Sequence, residues 1–276
     1  MHWQTTRFRI DLSRPQVMGI VNVTPDSFAD GGCHVTTAAA LAHCERLVAE
    51  GADILDIGGE STRPGATAPD TAQEAARVLP VIEGALRLGV PVSVDTSEPK
   101  VMRAALALGV DIVNDVRALR RPGALACVAE YPAAGVCLMH MRGEPATLSA
   151  QVDYDDVVVE VGDFLAERAA QVMAAGIVAD RIVLDPGIGF AKRPEHNLAL
   201  LRRQREMVAR LSRPLLVGWS RKGTLGLLTG RAVQDRLAAS VAAALAAVHH
   251  GAAVVRVHDV AATVDALKVW QAACGD

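Results

Sequence analysis

Eight short apolar segments alternate with helical segments along the 276-residue chain, and this alternation predicts a closed (β/α)8 barrel, an α/β fold. The apolar segments are continuous, which is typical of parallel strands buried on both faces. Eight such units in roughly 250 residues match the usual size of a TIM barrel. We therefore expect a single domain over residues 1–276. An open doubly wound sheet is the structural alternative, but no GxGxxG motif follows the first strand.

The predicted strands are apolar runs rich in β-branched residues, most of which end at a polar residue or glycine. They lie at Val17–Val23, Ile54–Gly58, Pro91–Asp95, Ile112–Asp115, Val136–Met139, Arg181–Asp185, Leu215–Gly218 and Val254–His258. Several of the helices between them begin at Thr or Pro and stop at Gly. They are predicted at 36–50, 71–88, 99–108, 122–130, 154–175, 194–210, 234–250 and 261–273, with a further short helix at 224–228.

Composition and charge argue against several classes of protein. The chain has 28 basic and 31 acidic side chains and a pI near 6.2, so a basic nucleic-acid surface is not expected. No apolar run reaches the roughly 20 residues of a membrane span, and the amino-terminal segment lacks the pattern of a signal peptide. Five scattered cysteines without a CxxC pair favour free thiols in a reducing compartment. We therefore expect a cytoplasmic globular protein without nucleic-acid or membrane partners.

Polar residues fall at the carboxyl ends of the predicted strands. These positions are occupied by Asn22, residues 59–63, Asp95, Asn114, His140, Asp185, residues 220–222, Arg256 and His258. In a barrel the carboxyl ends of all strands meet at one mouth, where the active site lies. One polar terminus could be a cap or a satisfied turn, but so many of them predict an active site at the mouth.

Two sets of these side chains differ in chemistry. The first combines donors and acceptors, as a flat nitrogen-rich heterocycle requires, and consists of Asp95, Asn114, Asp185 and Lys222. Its structural alternative is a buried Asp–Lys ion pair, although burying charge is costly without a full set of partners. The second set is rich in donors and lacks carboxylates, as an anion such as phosphate requires. It consists of Asn22, Thr62, Arg63, Arg256 and His258.

The segment Ser220–Gly223 follows the seventh predicted strand and opens a short helix. Free backbone N–H groups at such a helix start suit an anionic group, for example a carboxylate. No Ser-His-Asp nucleophile elbow is present, and no His, Cys or Asp spacing indicates a tight metal cage. A metal would therefore be Mg2+ that arrives with a diphosphate and is held by few protein oxygens.

Eight motifs, in chain order, resemble those of the dihydropteroate synthase family of pterin-binding barrels. They are Asn-Val-Thr-Pro-Asp-Ser-Phe (22–28), Gly-Gly-Glu-Ser-Thr-Arg-Pro-Gly (58–65), Ser-Val-Asp-Thr (93–96), Ile-Val-Asn-Asp (112–115), Leu-Met-His-Met (138–141), Leu-Asp-Pro-Gly-Ile-Gly-Phe (184–190), Ser-Arg-Lys (220–222) and Arg-Val-His-Asp (256–259). The resemblance extends from about residue 16 to residue 270. The first two motifs are long enough to be specific, whereas Ser-Arg-Lys alone would be weak.

The resemblance implies an activity: condensation of 6-hydroxymethyl-7,8-dihydropterin diphosphate with 4-aminobenzoate to 7,8-dihydropteroate and diphosphate. This reaction is a step of tetrahydrofolate (folate) biosynthesis and the target of sulfonamides. The resemblance also implies an SN1-like course, a homodimer, and Mg2+ near Asn22. The Ala-rich helix 237–248 is the candidate dimer face, because a lone surface helix would not be apolar almost all round.

The resemblance also implies a role for each site residue. The pterin would contact Asp95, Asn114, Met139, Asp185, Lys222 and Arg256. The diphosphate would contact Asn22, Thr62, Arg63, Arg256 and His258. The 4-aminobenzoate would contact Ser220, Phe190, Pro64 and Phe28. The residues expected to be catalytic are Asn22, Arg63, Asp185, Lys222, Arg256 and His258.

Two other functions remain open at this point. A methyltransferase that uses methyltetrahydrofolate would have a similar pterin floor but would lack the motifs at 22–28 and 58–65. A non-catalytic pterin-binding paralogue is the second alternative, and the intact polar residues of the mouth argue against it. The chain departs from the family pattern at Ala29, Ile188, Ala191 and Trp219. Of these, Ile188 and Ala191 could change the rim of the pocket and hence drug sensitivity.

Overall fold

The computed structural model describes residues 1–24, 33–60, 69–143 and 152–274, and in them eight parallel strands close into a barrel. The strands of the chain are β1 His2–Gln4, β2 Arg9–Asp11, β3 Gln16–Asn22, β4 Ile54–Gly58, β5 Val92–Asp95, β6 Ile112–Asp115, β7 Gly135–Met139, β8 Ile182–Asp185, β9 Leu215–Val217 and β10 Ala252–Val257. The barrel runs in chain order from β3 to β10, and β10 closes it by pairing with β3. The predicted fold class is confirmed.

Helices follow the barrel strands on the outside. They are α1 Cys33–Ala49, α2 Thr71–Ala85, α3 Pro99–Ala107, α4 Ala124–Ala129, α5 Val157–Ala174, α6 Pro194–Arg202, α7 Gln204–Leu211, α8 Gly223–Thr229, α9 Leu237–His249 and α10 Val260–Cys274. Their apolar faces and the outward-facing residues of the strands form one buried cluster of mainly Val, Leu, Ile and Ala side chains. Among the described residues, no helix combines the length and the apolar character needed to span a membrane.

Several helix boundaries differ from the sequence prediction, and three of the differences have local reasons. The predicted helix 194–210 is two helices, because Arg203 leaves helical geometry at φ −104° and ψ 16°. Helix α5 begins three residues later than predicted, because the Asp156 side chain caps it by accepting hydrogen bonds from the N–H groups of Val158 and Val159. Helix α9 begins at Leu237, since a 3-10 turn occupies Val233–Asp235.

The hairpin of β1 and β2 closes the amino end of the barrel and was not predicted. Trp3 and Ile10 of this hairpin are buried against the lowest layer of inward-facing side chains. That layer comprises Met18, Ile54, Ile112, Cys137, Val183, Leu216 and Val254. The Trp3 indole N–H donates to the carbonyl oxygen of Arg181 at 2.9 Å, so its one polar atom is satisfied.

A buried ion pair lies beside this hairpin. The Asp111 carboxylate is fully buried at the start of β6 and accepts from the Arg7 guanidinium, with Oδ2 2.6 Å from one terminal nitrogen. Asp111 also accepts from the backbone N–H groups of Arg7 and Val92 at 3.0 and 2.9 Å. Every oxygen of this carboxylate therefore has a donor, as a buried charge requires. The polar residues that were predicted for the active site lie at the opposite end of the barrel.

Candidate active site

Strand register brings several of the predicted residues to one level of the barrel mouth. Asn22 pairs with Gly58, Gly58 with Asp95, and Asp95 with Asn114, across four adjacent strands. Because side chains alternate between the two faces of a strand, residues at this level share the inward direction. A Cβ at Gly58 would lie 3.2 Å from the Cβ of Asp95, which is tighter than an ordinary contact. The missing side chain leaves room for the Asp95 carboxylate.

Arg256 of β10 lies between two carboxylates at the centre of the mouth. Its Nε is 2.6 Å from Asp56 Oδ2, and its terminal NH2 is 2.7 Å from Asp95 Oδ2. The Asn114 side-chain amide donates to the same Asp56 oxygen at 3.0 Å. Burial raises the pKa of Asp95, opposed by Arg256 and reinforced by the neighbouring Asp56 carboxylate. The mouth thus contains a compact network in which one guanidinium joins strands β4, β5 and β10.

Asp185 ends β8, and the turn that follows holds its carboxylate in place. The Gly187 N–H donates to Asp185 Oδ1 at 2.7 Å, while the Asp185 carbonyl accepts from the His140 N–H at 2.8 Å. Gly187 has a φ of +68°, and a Cβ there would overlap the carbonyl oxygen of His140, so only glycine fits. Burial raises the pKa of Asp185 to about 6, although the Gly187 N–H and the Lys222 ammonium oppose the rise.

Lys222 approaches the same carboxylate from the loop after β9. Its Nζ lies 4.3 Å from the centroid of the Phe190 ring, a distance at which a cation is attracted by the aromatic face. Burial lowers the pKa of Lys222 to about 8, and Asp185 opposes this shift. Phe190 belongs to a small buried apolar cluster with Val116, Met139, Met141 and Ala191. The mouth therefore has charged groups on its floor and an apolar wall beside them.

Lys192, which the sequence analysis did not single out, stabilises the loop after β8 by hydrogen bonds. Its ammonium group is buried and donates to the carbonyl oxygens of Gly187 and Phe190, both at 3.0 Å. It also lies 2.9 Å from Nδ1 of His140. Burial lowers the pKa of Lys192 to about 7, and burial together with Lys192 lowers the pKa of His140 to about 2. His140 is therefore neutral and accepts at Nδ1.

Ser220 contacts His258 directly across strands β9 and β10. Ser220 Oγ lies 2.9 Å from His258 Nδ1 and accepts from the His258 backbone N–H at 3.2 Å. In the tautomer in which the Ser220 hydroxyl donates to Nδ1, the ring proton of His258 lies on Nε2. Burial lowers the pKa of His258 to about 3, and Arg256 and Arg221 contribute to the shift. His258 is thus neutral, and in that tautomer it donates at Nε2.

A polar cavity of about 560 Å³ opens next to this pair. Asn22 and His258 line its inner side, and Arg221, Asp259 and the first residues of α10 line another. Arg221 is held by Asp259, with 2.6 Å between a terminal nitrogen and Oδ1, and it adopts a left-handed φ of +59°. The N–H groups at the start of the 15-residue helix α10 add positive potential. Glu50 and Leu47 also line the cavity, so the part of it that suits an anion is the side formed by Asn22, His258 and the start of α10.

Comparison with known proteins assigns the family. The family of pterin binding enzymes matches residues 18–258. The dihydropteroate synthase of Neisseria meningitidis serogroup B is 54% identical over 275 residues, which cover 98% of this chain and 96% of that protein. This chain belongs to the dihydropteroate synthase family. The synthase of Escherichia coli strain K12 is 47% identical, with coverage of 95% of this chain and 93% of the relative.

Solved structures of the family have the same fold. A dihydropteroate synthase of Xanthomonas albilineans, solved with 4-aminobenzoic acid, has a TM-score of 0.90 and 54% identity, covering 96% of this chain and 95% of that one. The Burkholderia cenocepacia synthase complexed with 7,8-dihydropteroate has a TM-score of 0.90 and 50% identity, with coverages of 99% and 96%. The Yersinia pestis synthase with a sulfonamide drug complex has a TM-score of 0.94 and 44% identity over 100% of both chains.

Part of the site predicted from the family motifs lies outside the described residues. Phe28 falls in the segment 25–32, and Thr62, Arg63 and Pro64 fall in the segment 61–68. The other predicted residues all lie at the mouth, where Arg256 joins Asp95, and Lys222 neighbours Asp185 and Phe190. Ser220, which was predicted to contact 4-aminobenzoate, is hydrogen-bonded to His258 in this structure. That prediction stays open, since no ligand is present.

Asp56 is a second site residue, besides Lys192, that the sequence analysis missed. It stands in the middle of an apolar run, Ile54 to Gly58, and was included in that run as strand. The alternation of side-chain direction along β4 could have revealed it. Ile54 lies in the inner layer of the barrel, so residues 56 and 58 of the same strand also face inward. An acidic residue at such a position cannot be a solvated surface group. It must belong to the mouth.

Three of the four positions that depart from the family pattern lie among the described residues, and all three are buried. Ile188 is buried in the core between the barrel and its helices, so it does not form the pocket rim that the sequence analysis considered. Ala191 packs beside Met139 and Phe190 and has a left-handed φ of +48°, a conformation that glycine adopts more readily. Trp219 is buried in the main core. Ala29 lies outside the described residues.

The predicted Mg2+ site can be tested only through its donor set. Within residues 1–24, 33–60, 69–143 and 152–274, no three His, Cys, Asp or Glu side chains are grouped closely enough to hold a metal. Asn22 lies half-buried at the end of β3 and lines the anion-suited cavity. One amide oxygen beside a diphosphate site fits a magnesium ion that takes most of its ligands from water and phosphate.

Proposed function

We propose that this protein condenses 6-hydroxymethyl-7,8-dihydropterin diphosphate with 4-aminobenzoate, forming 7,8-dihydropteroate and diphosphate. The observation that carries the proposal is the convergence of Asp185, Lys222, Asn114 and the Asp95–Arg256 pair at one barrel mouth, beside a cavity to which Asn22 and His258 contribute. Relatives with this name were solved with 4-aminobenzoic acid and with 7,8-dihydropteroate, which are a substrate and the product of this reaction.

The donors and acceptors of the floor would recognise the pterin edge. Asp185 accepts hydrogen bonds and carries a charge that burial makes costly, so donors of the heterocycle would compensate it. The Asn114 amide, which gives its N–H to Asp56, presents its carbonyl oxygen as a further acceptor. Lys222 supplies a donor on the other side. The Arg256 guanidinium, held flat between two carboxylates, would stack on the ring face.

The diphosphate would occupy the cavity next to His258. The neutral His258 offers Nε2–H, Arg256 supplies positive charge, and the start of α10 supplies backbone donors. We include Thr62 and Arg63 of the neighbouring loop in this site on the family motif alone. Asn22 would hold Mg2+ here, and the bound ion would neutralise the charge that develops on the leaving diphosphate.

The reaction would proceed by a dissociative, SN1-like course. The C–O bond between the pterin methylene and the diphosphate breaks, leaving positive charge on the carbon and negative charge on the leaving group. The Asp185 carboxylate would stabilise the cation that is delocalised over the ring, and the donors around His258 would stabilise the anion. The amine of 4-aminobenzoate then attacks the carbon and loses a proton. No strong base is needed, because the reactive group is the cation.

The 4-aminobenzoate would bind against the apolar wall. Phe190 is buried at 9% exposure beside Met139, so its ring can contact the ring of the second substrate. Pro64 and Phe28 would complete this pocket by the family motif, with Ser220 near the carboxylate. The Yersinia pestis relative was solved with a sulfonamide drug complex. Sulfonamides are therefore expected to compete with 4-aminobenzoate here.

The protein is further proposed to be a cytoplasmic homodimer. An apolar groove of about 490 Å³ runs between α9 and α10, lined by residues including Leu245, Val269 and Trp270. Val269 is 69% exposed and adjoins Trp270 in this groove, so the groove is part of a contiguous apolar surface of the kind that partners cover. Light scattering on the purified protein measures this directly, and a monomeric mass at micromolar concentration would contradict the assignment.

The decisive experiment is diphosphate release from the pterin diphosphate, with and without 4-aminobenzoate. A synthase releases diphosphate in proportion to 7,8-dihydropteroate and is inhibited by a sulfonamide. Pterin binding without any release would indicate a non-catalytic pterin-binding protein. A requirement for methyltetrahydrofolate, with transfer of its methyl group, would indicate the methyltransferase instead.

A further inference from the structure

Asp56 is fully buried at the middle of β4, one inward-facing position below Gly58. It is not part of the motifs that resemble the family. Its Oδ2 accepts two hydrogen bonds at once, from Arg256 Nε at 2.6 Å and from Asn114 Nδ2 at 3.0 Å. Both donors belong to residues that face the pterin in the proposed function. Asp56 itself lies beneath them.

The contacts of Asp56 fix an orientation for each of its two partners. Arg256 gives Nε to Asp56 and a terminal NH2 to Asp95, so its guanidinium plane is held at two points. With only Asp95 as a partner, the plane could rotate about that single contact. Asn114 directs Nδ2 to Asp56, and its carbonyl oxygen consequently faces the other way, towards the mouth. A half-turn of this amide would present a donor in place of an acceptor.

The other oxygen of Asp56 is a second, independent observation. Oδ1 is buried and has no hydrogen-bond partner among the residues that the structure describes, and the same is true of Ser93 Oγ. Asp56 and Ser93 are register partners on β4 and β5. A carboxylate selected for stability would have both oxygens satisfied, as Asp111 has at the other end of the barrel. A buried oxygen without a partner calls for an explanation, and a role in function is one such explanation.

We propose that Asp56 is a positioning residue of the synthase reaction, which orients the Arg256 guanidinium and the Asn114 amide towards the pterin. The proposal rests on the proposed function for the identity of the substrate. It concerns binding and orientation, so it is tested by pterin binding as well as by turnover. Asp56 touches no reacting atom.

The test compares Asp56→Asn with the matched control Asp111→Asn. Both replace a fully buried aspartate that is bonded to an arginine, one at the mouth and one at the foot of the barrel. For Asp56→Asn we expect at least a tenfold rise in the calorimetric Kd of 6-hydroxymethyl-7,8-dihydropterin diphosphate and a fall in kcat. The KM for 4-aminobenzoate should be unchanged. For Asp111→Asn we expect a lower Tm with unchanged Kd and KM.

A double-mutant cycle separates positioning from a general loss of structure. If Asp56 acts through Arg256, the Asp56→Asn change should weaken binding far less in an Arg256→Ala background than in the wild type. The same cycle with Asn114→Ala tests the second partner. Undiminished effects in both the Arg256→Ala and the Asn114→Ala backgrounds, or an unchanged Kd in folded Asp56→Asn, would overturn the proposal. Asp56→Ser, which removes the charge with a smaller side chain, replaces Asp56→Asn if the latter does not fold. Wild-type protein that binds the pterin but releases no diphosphate would refute the proposed function and leave this test intact.

Discussion

Replacing Asp185 by Asn should stabilise the protein at neutral pH while it removes activity. Asp185 is 7% exposed, and burial raises its pKa from 3.8 to about 6. A rise of this size corresponds to about 3 kcal/mol that disfavours the ionised carboxylate in the folded protein. The amide of Asn keeps the shape of the side chain and can still accept from the Gly187 N–H. It therefore removes the unfavourable charge without opening a cavity.

The amount by which the Asp185 charge destabilises the folded protein depends on pH. The folded protein binds the Asp185 proton more tightly than the unfolded chain does, so the contribution of this group to stability falls as pH rises from about 4 to about 6. The full penalty is present above pH 6 and absent below about pH 4. Lys222 and Lys192 lose a counter-charge in the variant, which offsets part of the gain. We expect a net gain of about 1–2 kcal/mol at pH 7.5, a Tm higher by about 2–4 °C.

Thermal unfolding of wild type and Asp185→Asn at pH 7.5 and pH 4.5 measures this difference, and steady-state kinetics measures the activity. The kcat/KM for the pterin diphosphate should fall by about 100-fold or more, since a charge aimed at the developing cation is lost. Asp156→Asn is a control for which we expect a loss of stability. Arg203 lowers the pKa of Asp156, so the charge of this carboxylate stabilises the folded state. A variant of Asp185 that unfolds below the wild type at pH 7.5 would refute the reasoning.

Three further changes test other parts of the molecule. Trp3→Ala removes the side chain that closes the amino end of the barrel. It should lower the free energy of unfolding, measured in urea, by about 3–5 kcal/mol and leave both KM values unchanged. Gly187→Ala forces a Cβ onto the His140 carbonyl at a left-handed φ, so both Tm and pterin affinity should fall. Ser220→Ala removes the partner of His258 Nδ1 and should raise the KM of the pterin diphosphate; a rise confined to 4-aminobenzoate would instead support contact with that substrate.

The sequence predicted the parts of the site that depend on strand ends. Asn22, Asp95, Asn114 and Asp185 follow apolar runs, and a parallel barrel necessarily brings such positions to one mouth. Lys192 could not be found in this way. Its partners are carbonyl oxygens of a turn and a ring nitrogen, and no periodic pattern marks them.

The hairpin at the barrel foot escaped prediction for a different reason. Each of its strands has three residues, so two or three side chains carry the whole alternation, which is too few to distinguish from a loop. Its role depends on the closed barrel above it. Trp3 and Ile10 are buried only because eight strand starts surround an apolar opening. Tertiary context supplies that information.

The two ends of the barrel handle buried charge differently, and the difference explains where a ligand can bind. At the foot, both oxygens of Asp111 accept from Arg7 or from backbone N–H groups, so the pair is complete within the protein. At the mouth, Asp56 leaves one oxygen without a partner among the described residues, and burial raises the pKa values of Asp95 and Asp185. Arg256, Lys222 and the Gly187 N–H supply only part of the donors and positive charge that these buried acceptors can take. A heterocycle brings N–H donors when it binds, and it develops positive charge when the reaction begins. The same buried carboxylates of the mouth would therefore contribute to substrate binding and to stabilisation of the transition state.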